Sequence, residues 1–597
     1  MNKRRIQSLL ALLLAAVLLT GALSACGGSA DTEQSGGNDV ARNEEPTEAG
    51  QESDELEASA DALSFSDAKA TELSVTLDGE PLSVTLYEDC YVTNPTTVAM
   101  IPDPNGEVDQ RVSVYVPENA TKESPIIFCV MNWGWIQDAY AVRPQIEDGA
   151  AYVSDSNTDR FGAALSRGFV IVTDGVRSRG DNPTEDGEYV SHSPATVTDT
   201  KAVIRYLRYN ANLLPAGDPE KIVITGTSGG GALSTIISAS GNSPDYFPSL
   251  YEIGAAGIER NADGSYTSTI GDNIFGTIAY CPINDLREAD AAYEFTYGAT
   301  RERIIAEGAV CNDQLGSSFQ DPFTDTYAAE DMMAVSAALA ERYGEYVDSL
   351  NLKLDDGTPL TKENLREAII ALLTAELDES VQEYGVSSML ETLSTPIANH
   401  SSVYNPTVEG YVDWLNLQED GSYDFDYDEL LYFVARNTAL KVACAFSNAG
   451  MGIASASNQN EDSLFGTAAQ PYSAFEFYSW NHDATAGNGV GPDDTGLDWD
   501  AFLETEDGQA QLLQMQMASP IPYLTGANGD SAPHWYVRHG MADRDTSFAL
   551  QTILRYAISN ADDVEDLNFE FAWLLHHDGD YDVQEAYAWL DGVLAAG

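Results

Sequence analysis

Basic side chains are scarce in this chain: 29 Lys and Arg stand against 95 Asp and Glu, a formal net charge of −66 over 597 residues. So negative a surface repels nucleic acid and anionic membrane faces, which argues against both as partners. Cysteine is sparse too. None of Cys26, Cys90, Cys129, Cys281, Cys311 and Cys444 falls in a CxxC or mixed His/Cys spacing, so nothing in the spacing points to zinc. There are only seven histidines, which narrows the choice of any general base. No repeat of solenoid or propeller period is present. Neither a metal nor an organic cofactor is indicated.

The amino terminus accounts for the compartment expected. Lys3, Arg4 and Arg5 precede the apolar run "LLALLLAAVLLTGA", which ends at "LSAC". This resembles a bacterial secretion signal, and "LSAC" resembles the lipobox of bacterial lipoproteins. The resemblance implies a signal peptide over 1–25, cleavage before Cys26 and lipidation of its sulfur, with the protein on the outer face of the cell membrane. Residues 26–70 are small and acidic with almost no large apolar side chain. They cannot bury enough surface to fold, and so are expected to form a tether.

Beyond the tether, short and nearly continuous apolar runs recur: "VSVYVP", "IIFCVM", "FVIVTDG", "KIVITG", "GTIAYCPI", and later "HWYVRHG" and "NFEFAWLL". Such runs suit strands covered on both faces. Helical patterns lie between them, with Ala202, Val203, Tyr206 and Leu207 on one side of one segment and Val583, Ala586, Tyr587 and Leu590 on one side of the last. The alternation predicts an α/β fold with a mostly parallel sheet. Residues 284–530 break the rhythm. Helical stretches such as "TKENLREAIIALLTAELDESVQEYG" and aromatic, acidic loops such as "GSYDFDYDELLYF" are expected there. They form a lid inserted between core segments 71–283 and 531–597, and insertions at that edge of a sheet commonly cover ligand sites.

"KIVITGTSGGGALSTII" then supplies chemistry. Gly226-Thr227-Ser228-Gly229-Gly230 fits G-x-S-x-G between a strand and a helix, the setting of a nucleophile elbow. Small neighbours allow the sharp turn, and the helix N-terminus favours developing negative charge. In the matching chain order, the acid follows one strand and the histidine the next. Asp543 or Asp545 in "HGMADRD" and His576 or His577 in "LLHHDGD" occupy those places. His577 is preferred because His-Asp-Gly-Asp begins the turn. His539, within a strand end, reads as a supporting residue. The N–H groups of Gly229 and of Gly134 in "NWGW" are the expected oxyanion donors.

Together "PATVTDTKAVIRYLRYN", "GTSGGGALS", "YCPINDLREADAAYEF", "EDSLFG", "RHGMADRDTS" and "HDGDYD" resemble the bacterial tannases, serine α/β-hydrolases that cleave galloyl esters. The resemblance implies an α/β-hydrolase fold and assigns the triad acid to the first carboxylate of Asp-Arg-Asp, Asp543. It places Asp545, Lys441 of "LKVACAF" and Glu461 of "NEDSLFG" on the galloyl ring hydroxyls. The chain departs from the family pattern at Ser447, where Asp is usual, and at Asp462, where Asn is usual. The fungal branch and its feruloyl-esterase relatives carry a cysteine beside both serine and histidine. Thr227 and His576 stand there, so that branch does not fit. The substrate expected is a small phenolic ester. A feruloyl or general carboxylesterase is the alternative, and a non-catalytic ligand-binding lipoprotein a third.

Overall fold

The apolar runs pair into a single ten-stranded sheet. The structure is a computed structural model that describes residues 63–96, 110–137, 145–180, 183–306, 329–394, 413–438, 440–448, 450 and 461–596. The expected signal segment, Cys26 and the tether up to 62 lie outside the described residues, as does Cys311. Leu63 and Phe65, left in the tether by composition alone, are buried, 6% and 5% exposed. The packed body therefore starts before residue 70.

In chain order the sheet contains β1 (Lys69–Leu77), β2 (Glu80–Cys90), β3 (Arg111–Pro117), β4 (Ile126–Cys129), β5 (Ala151–Tyr152), β6 (Val170–Asp174), β7 (Ile222–Thr227), β8 (Gly276–Tyr280), β9 (His534–Gly540) and β10 (Asp566–Ala572). Their spatial order is β10-β9-β8-β7-β4-β6-β3-β2-β1-β5. Every contact from β10 to β6 is parallel, and β6 to β3, β3 to β2 and β2 to β1 are antiparallel. Every residue of β4, β6 and β8 is buried, which is why those runs show no polar alternation.

The sequence reading misses β1 and β2. These edge strands are half-exposed and carry polar side chains. The local signal was Asp78-Gly79, where φ of 52° and 86° closes a two-residue hairpin.

Helices cover both faces. α1 (Ala195–Tyr209) and α2 (Gly229–Ala239) pack together, and α6 (Val583–Ala596) buries Val583, Ala586, Tyr587 and Leu590, the stripe expected. The region between β8 and β9 is mainly helical. It opens with α3 (Leu286–Ala306) and includes α4 (Leu365–Glu383), which packs on β10 and on α5 (Phe548–Asn560). The stretch "GSYDFDYDELLYF", expected as loop, instead forms a short strand, Tyr423–Phe425, and a helix, Tyr427–Thr438. Leu430, Leu431 and Val434 recur at helical spacing there and are buried. Among the described residues no helix is long and apolar enough to cross a membrane.

One buried charge cluster fixes the helices behind the elbow. Lys201 Nζ and Arg205 Nε of α1 meet the Asp272 carboxylate at 2.8 and 2.7 Å, and all three side chains are at most 1% exposed. Lys201 also donates to the Ser240 carbonyl at the end of α2, at 2.6 Å. Asp272→Ala leaves two cations buried without their partner. It should lower unfolding stability by about 3–5 kcal/mol in urea titration, and a loss below about 1 kcal/mol would contradict this role.

Candidate active site

At the end of β7 the chain turns sharply into α2, and Ser228 sits at the corner with φ 61° and ψ −118°. A non-glycine residue occupies this region only where its surroundings over-determine it. Here Ser228 N–H donates to the Tyr280 carbonyl of β8 at 3.0 Å, and its own carbonyl accepts from Ile283 N–H at 3.2 Å. The glycines are required by close approach. A Cβ on Gly226 would lie 2.5 Å from the Gly230 carbonyl carbon and oxygen, and one on Gly229 would lie 2.6 and 2.9 Å from the nitrogens of Trp135 and Gly134. The two expected oxyanion residues, Gly134 and Gly229, are therefore neighbours. Gly134 and Trp135 both have positive φ, 54° and 64°, which curls this loop over the start of α2.

Two turns beyond neighbouring strands bring in the remaining residues. His577 follows β10, and its Nε2 lies 2.8 Å from Ser228 Oγ. Its Nδ1 lies 2.8 Å from Asp543 Oδ2, beyond β9. Of the adjacent histidines, His577 is the one that joins the serine to the acid. Burial disfavours the imidazolium, but the Asp543 carboxylate and Cys281 outweigh it and hold the His577 pKa well above its ordinary value. Burial likewise works against the Asp543 carboxylate, and the neighbouring His577, through its charge and its hydrogen bond, holds the Asp543 pKa below the usual range. Asp543 Oδ1 also accepts from Asp545 N–H at 2.7 Å. His539 is fully buried with Nδ1 3.3 Å from Asp543 Oδ2, and burial pushes its pKa down to about 4, so it is neutral.

The residues expected on the substrate ring divide into two groups. Lys441 Nζ lies 3.2 Å from Asp545 Oδ1, and both side chains are 23% exposed, open enough to meet a ligand. Burial would raise the Asp545 pKa, but Lys441 and Arg544 hold it well below the carboxylate range. Glu461 does not join that pair in the structure. Its Oε1 lies 3.3 Å from Arg179 Nη2. Arg179 Nε in turn donates to the Gly134 carbonyl, and Arg179 N–H donates to the Trp135 carbonyl at 3.2 Å. Arg179 thus ties Glu461 to the loop beside Ser228. Sequence reasoning missed it, although its place just beyond the carboxyl end of β6 was a signal, since sites in such sheets gather there.

The two departures from the tannase pattern are partners. Ser447 Oγ donates to Asp462 Oδ1 at 2.8 Å, and Asn448 N–H donates to Asp462 Oδ2 at 2.8 Å. Together these bonds join the segments carrying Lys441 and Glu461.

Known proteins share this fold. A family model described as BD-FAE matches residues 112–291, the stretch from β3 into α3. The native tannin acyl hydrolase of Lactobacillus plantarum is similar at 25% identity, covering 88% of this chain and 97% of its own, with a TM-score of 0.62. A tannin acyl hydrolase in complex with ethyl gallate is similar at 25% identity, covering 89% and 99%, with a TM-score of 0.64. The tannase of Fusobacterium nucleatum, 24% identical over 89% and 99% at a TM-score of 0.62, shares the fold. No curated protein sequence matches the chain. With its elbow, its ten-stranded sheet and these likenesses, the chain is a carboxylic ester hydrolase of the α/β-hydrolase fold, similar over most of its length to the bacterial tannases.

Proposed function

We propose that the protein hydrolyses galloyl and related hydroxybenzoyl esters through an acyl-enzyme on Ser228. The observation that carries this reading is the unbroken hydrogen-bond chain from Ser228 through His577 to Asp543, with the Lys441–Asp545 pair beside it. His577 takes the Ser228 proton as Oγ attacks the ester carbonyl and returns it to the leaving alcohol. Asp543 orients the imidazole and stabilises its charged form. The N–H groups of Gly229 and Gly134 receive the oxyanion; one such donor is worth about 3–4 kcal/mol in the transition state. Water then releases gallic acid. Phenolic hydroxyls both donate and accept, so Asp545 and Glu461 can accept from the ring while Lys441 donates to it. The protein acts outside the cell, held to the membrane by lipid on Cys26.

The acid sets the pH response. His577 works as a base only when neutral, so kcat/KM should rise with pH through an apparent pKa above 6.5. Asp543→Asn removes the charge that raises this pKa. The rising limb should move to lower pH and the maximal rate fall by about 10⁴-fold. An unshifted limb in a pH–rate series would contradict the assignment.

Ring recognition separates this reading from a general carboxylesterase. Methyl gallate should be turned over at least about 100-fold faster than methyl benzoate, because unfilled polar groups penalise a ring lacking hydroxyls. Asp545→Asn should cost roughly 100-fold in kcat/KM on the gallate and little on the benzoate, in keeping with loss of about 3 kcal/mol from a charged hydrogen bond. Comparable turnover of the two esters would keep the esterase and discard the galloyl preference.

A further inference from the structure

Cys281 is the first residue beyond β8, held at φ 34° by a 2.6 Å bond from its N–H to the Arg538 carbonyl. It is 1% exposed and free of any disulfide. Its Sγ donates to the Asp578 carbonyl at 3.1 Å. Ester hydrolysis as derived above gives this thiol no task. Yet Cys281 Sγ, a ring nitrogen of His577 and a carboxylate oxygen of Asp543 all lie within 4.8 Å of one another. The three come from separate turns, beyond β8, β10 and β9, so no cysteine or histidine spacing in the sequence betrays the group.

We propose that Cys281, His577 and Asp543 form a binding site for a thiophilic divalent cation, of which Zn²⁺ is the type, and that its occupancy switches the esterase off. The donor set is one thiolate, one imidazole and one carboxylate, a soft-to-borderline mixture suited to zinc and unsuited to magnesium or calcium. Zinc takes sulfur at about 2.3 Å and nitrogen or oxygen at about 2.0–2.2 Å, so its ligand atoms sit roughly 3.3–3.7 Å apart. No edge of the triangle exceeds 4.8 Å, and the His577 Nδ1–Asp543 Oδ2 edge, 2.8 Å as a hydrogen bond, must open slightly while the longest closes, so small side-chain adjustments reach that geometry.

His539 supplies the support such a site needs. It is fully buried, neither ring nitrogen has a hydrogen-bond partner among the described residues, and Nδ1 lies 3.3 Å from the Asp543 carboxylate. It can hold Asp543 in place when His577 turns toward an ion. Binding forms a sulfur–metal, a nitrogen–metal and an oxygen–metal bond. The thiol proton passes to water, the ion sheds bound waters, and no electron is transferred. An imidazole lone pair engaged by the metal cannot take the Ser228 proton, so turnover stops while the fold is unchanged. The inhibition follows from the triad reading; the binding site does not depend on it.

The test adds Co²⁺ to the metal-free full-length chain without substrate. The expected result is a thiolate-to-cobalt charge-transfer band in the wild type and in Cys444→Ser, lost in Cys281→Ser and displaced by Zn²⁺. In parallel, Zn²⁺ should inhibit ester turnover reversibly on addition of EDTA. Its half-inhibiting concentration should rise at least about tenfold in Cys281→Ser, measured against that variant's own zinc-free rate. If Cys281→Ser fails to fold by circular dichroism, Cys281→Ala takes its place. Absence of the band in the wild type overturns the proposal, as does inhibition of the Cys281 variant at the wild-type zinc concentration. Because the cobalt arm uses no ester, failure of the galloyl reading and failure of this one are separable.

Discussion

Holding Ser228 at φ 61° and ψ −118° costs on the order of 1–3 kcal/mol, and much of the molecule around it is arranged to keep it there. Its N–H and carbonyl are fixed to the residues around the end of β8, and the glycines on either side let α2 and the 132–135 loop approach to atomic contact. Behind them, Asp272 between Lys201 and Arg205 locks α1 to the far end of α2. The strain presents Oγ to His577 with no helix or strand bonding demands on that side chain. Sheet, helices and buried charges thus serve one corner of backbone.

Charge is distributed unevenly in a chain so acidic. Around Ser228 the few cations are concentrated: Lys441 and Arg544 beside Asp545, and Arg179 beside Glu461. They hold the Asp545 pKa down and give Glu461 a cationic partner, so that neither carboxylate is left uncompensated near Asp543. Arg179 connects Glu461 to the loop beside the nucleophile. It bonds Glu461 at one end and the Gly134 carbonyl at the other, so a ligand that moves Glu461 is felt at the loop beside the nucleophile.

Much of this was legible in the sequence wherever one segment carried its own signal. The strand runs, the G-x-S-x-G corner, and the acid and histidine in the turns beyond the last two core strands are local patterns, and the structure brings Ser228, His577 and Asp543 within hydrogen-bonding distance. What stayed hidden depends on contacts between distant segments. Arg179 and Cys281 acquire meaning only when the carboxyl ends of β6, β8 and β10 gather at one edge of the sheet. The pairing of Ser447 with Asp462 looked like two unrelated departures until their hydrogen bond was in view. The β1–β2 hairpin was obscured by half-exposed, polar strands, although its Asp-Gly turn was present.

The measurement that tests the central claim most directly is covalent labelling with a fluorophosphonate, read by intact mass and peptide mapping. One adduct per chain on Ser228 is predicted, absent in Ser228→Ala and strongly slowed in His577→Ala, because the base must deprotonate the attacking oxygen. A wild-type chain that takes no label, or one labelled equally at another residue in Ser228→Ala, would contradict the account.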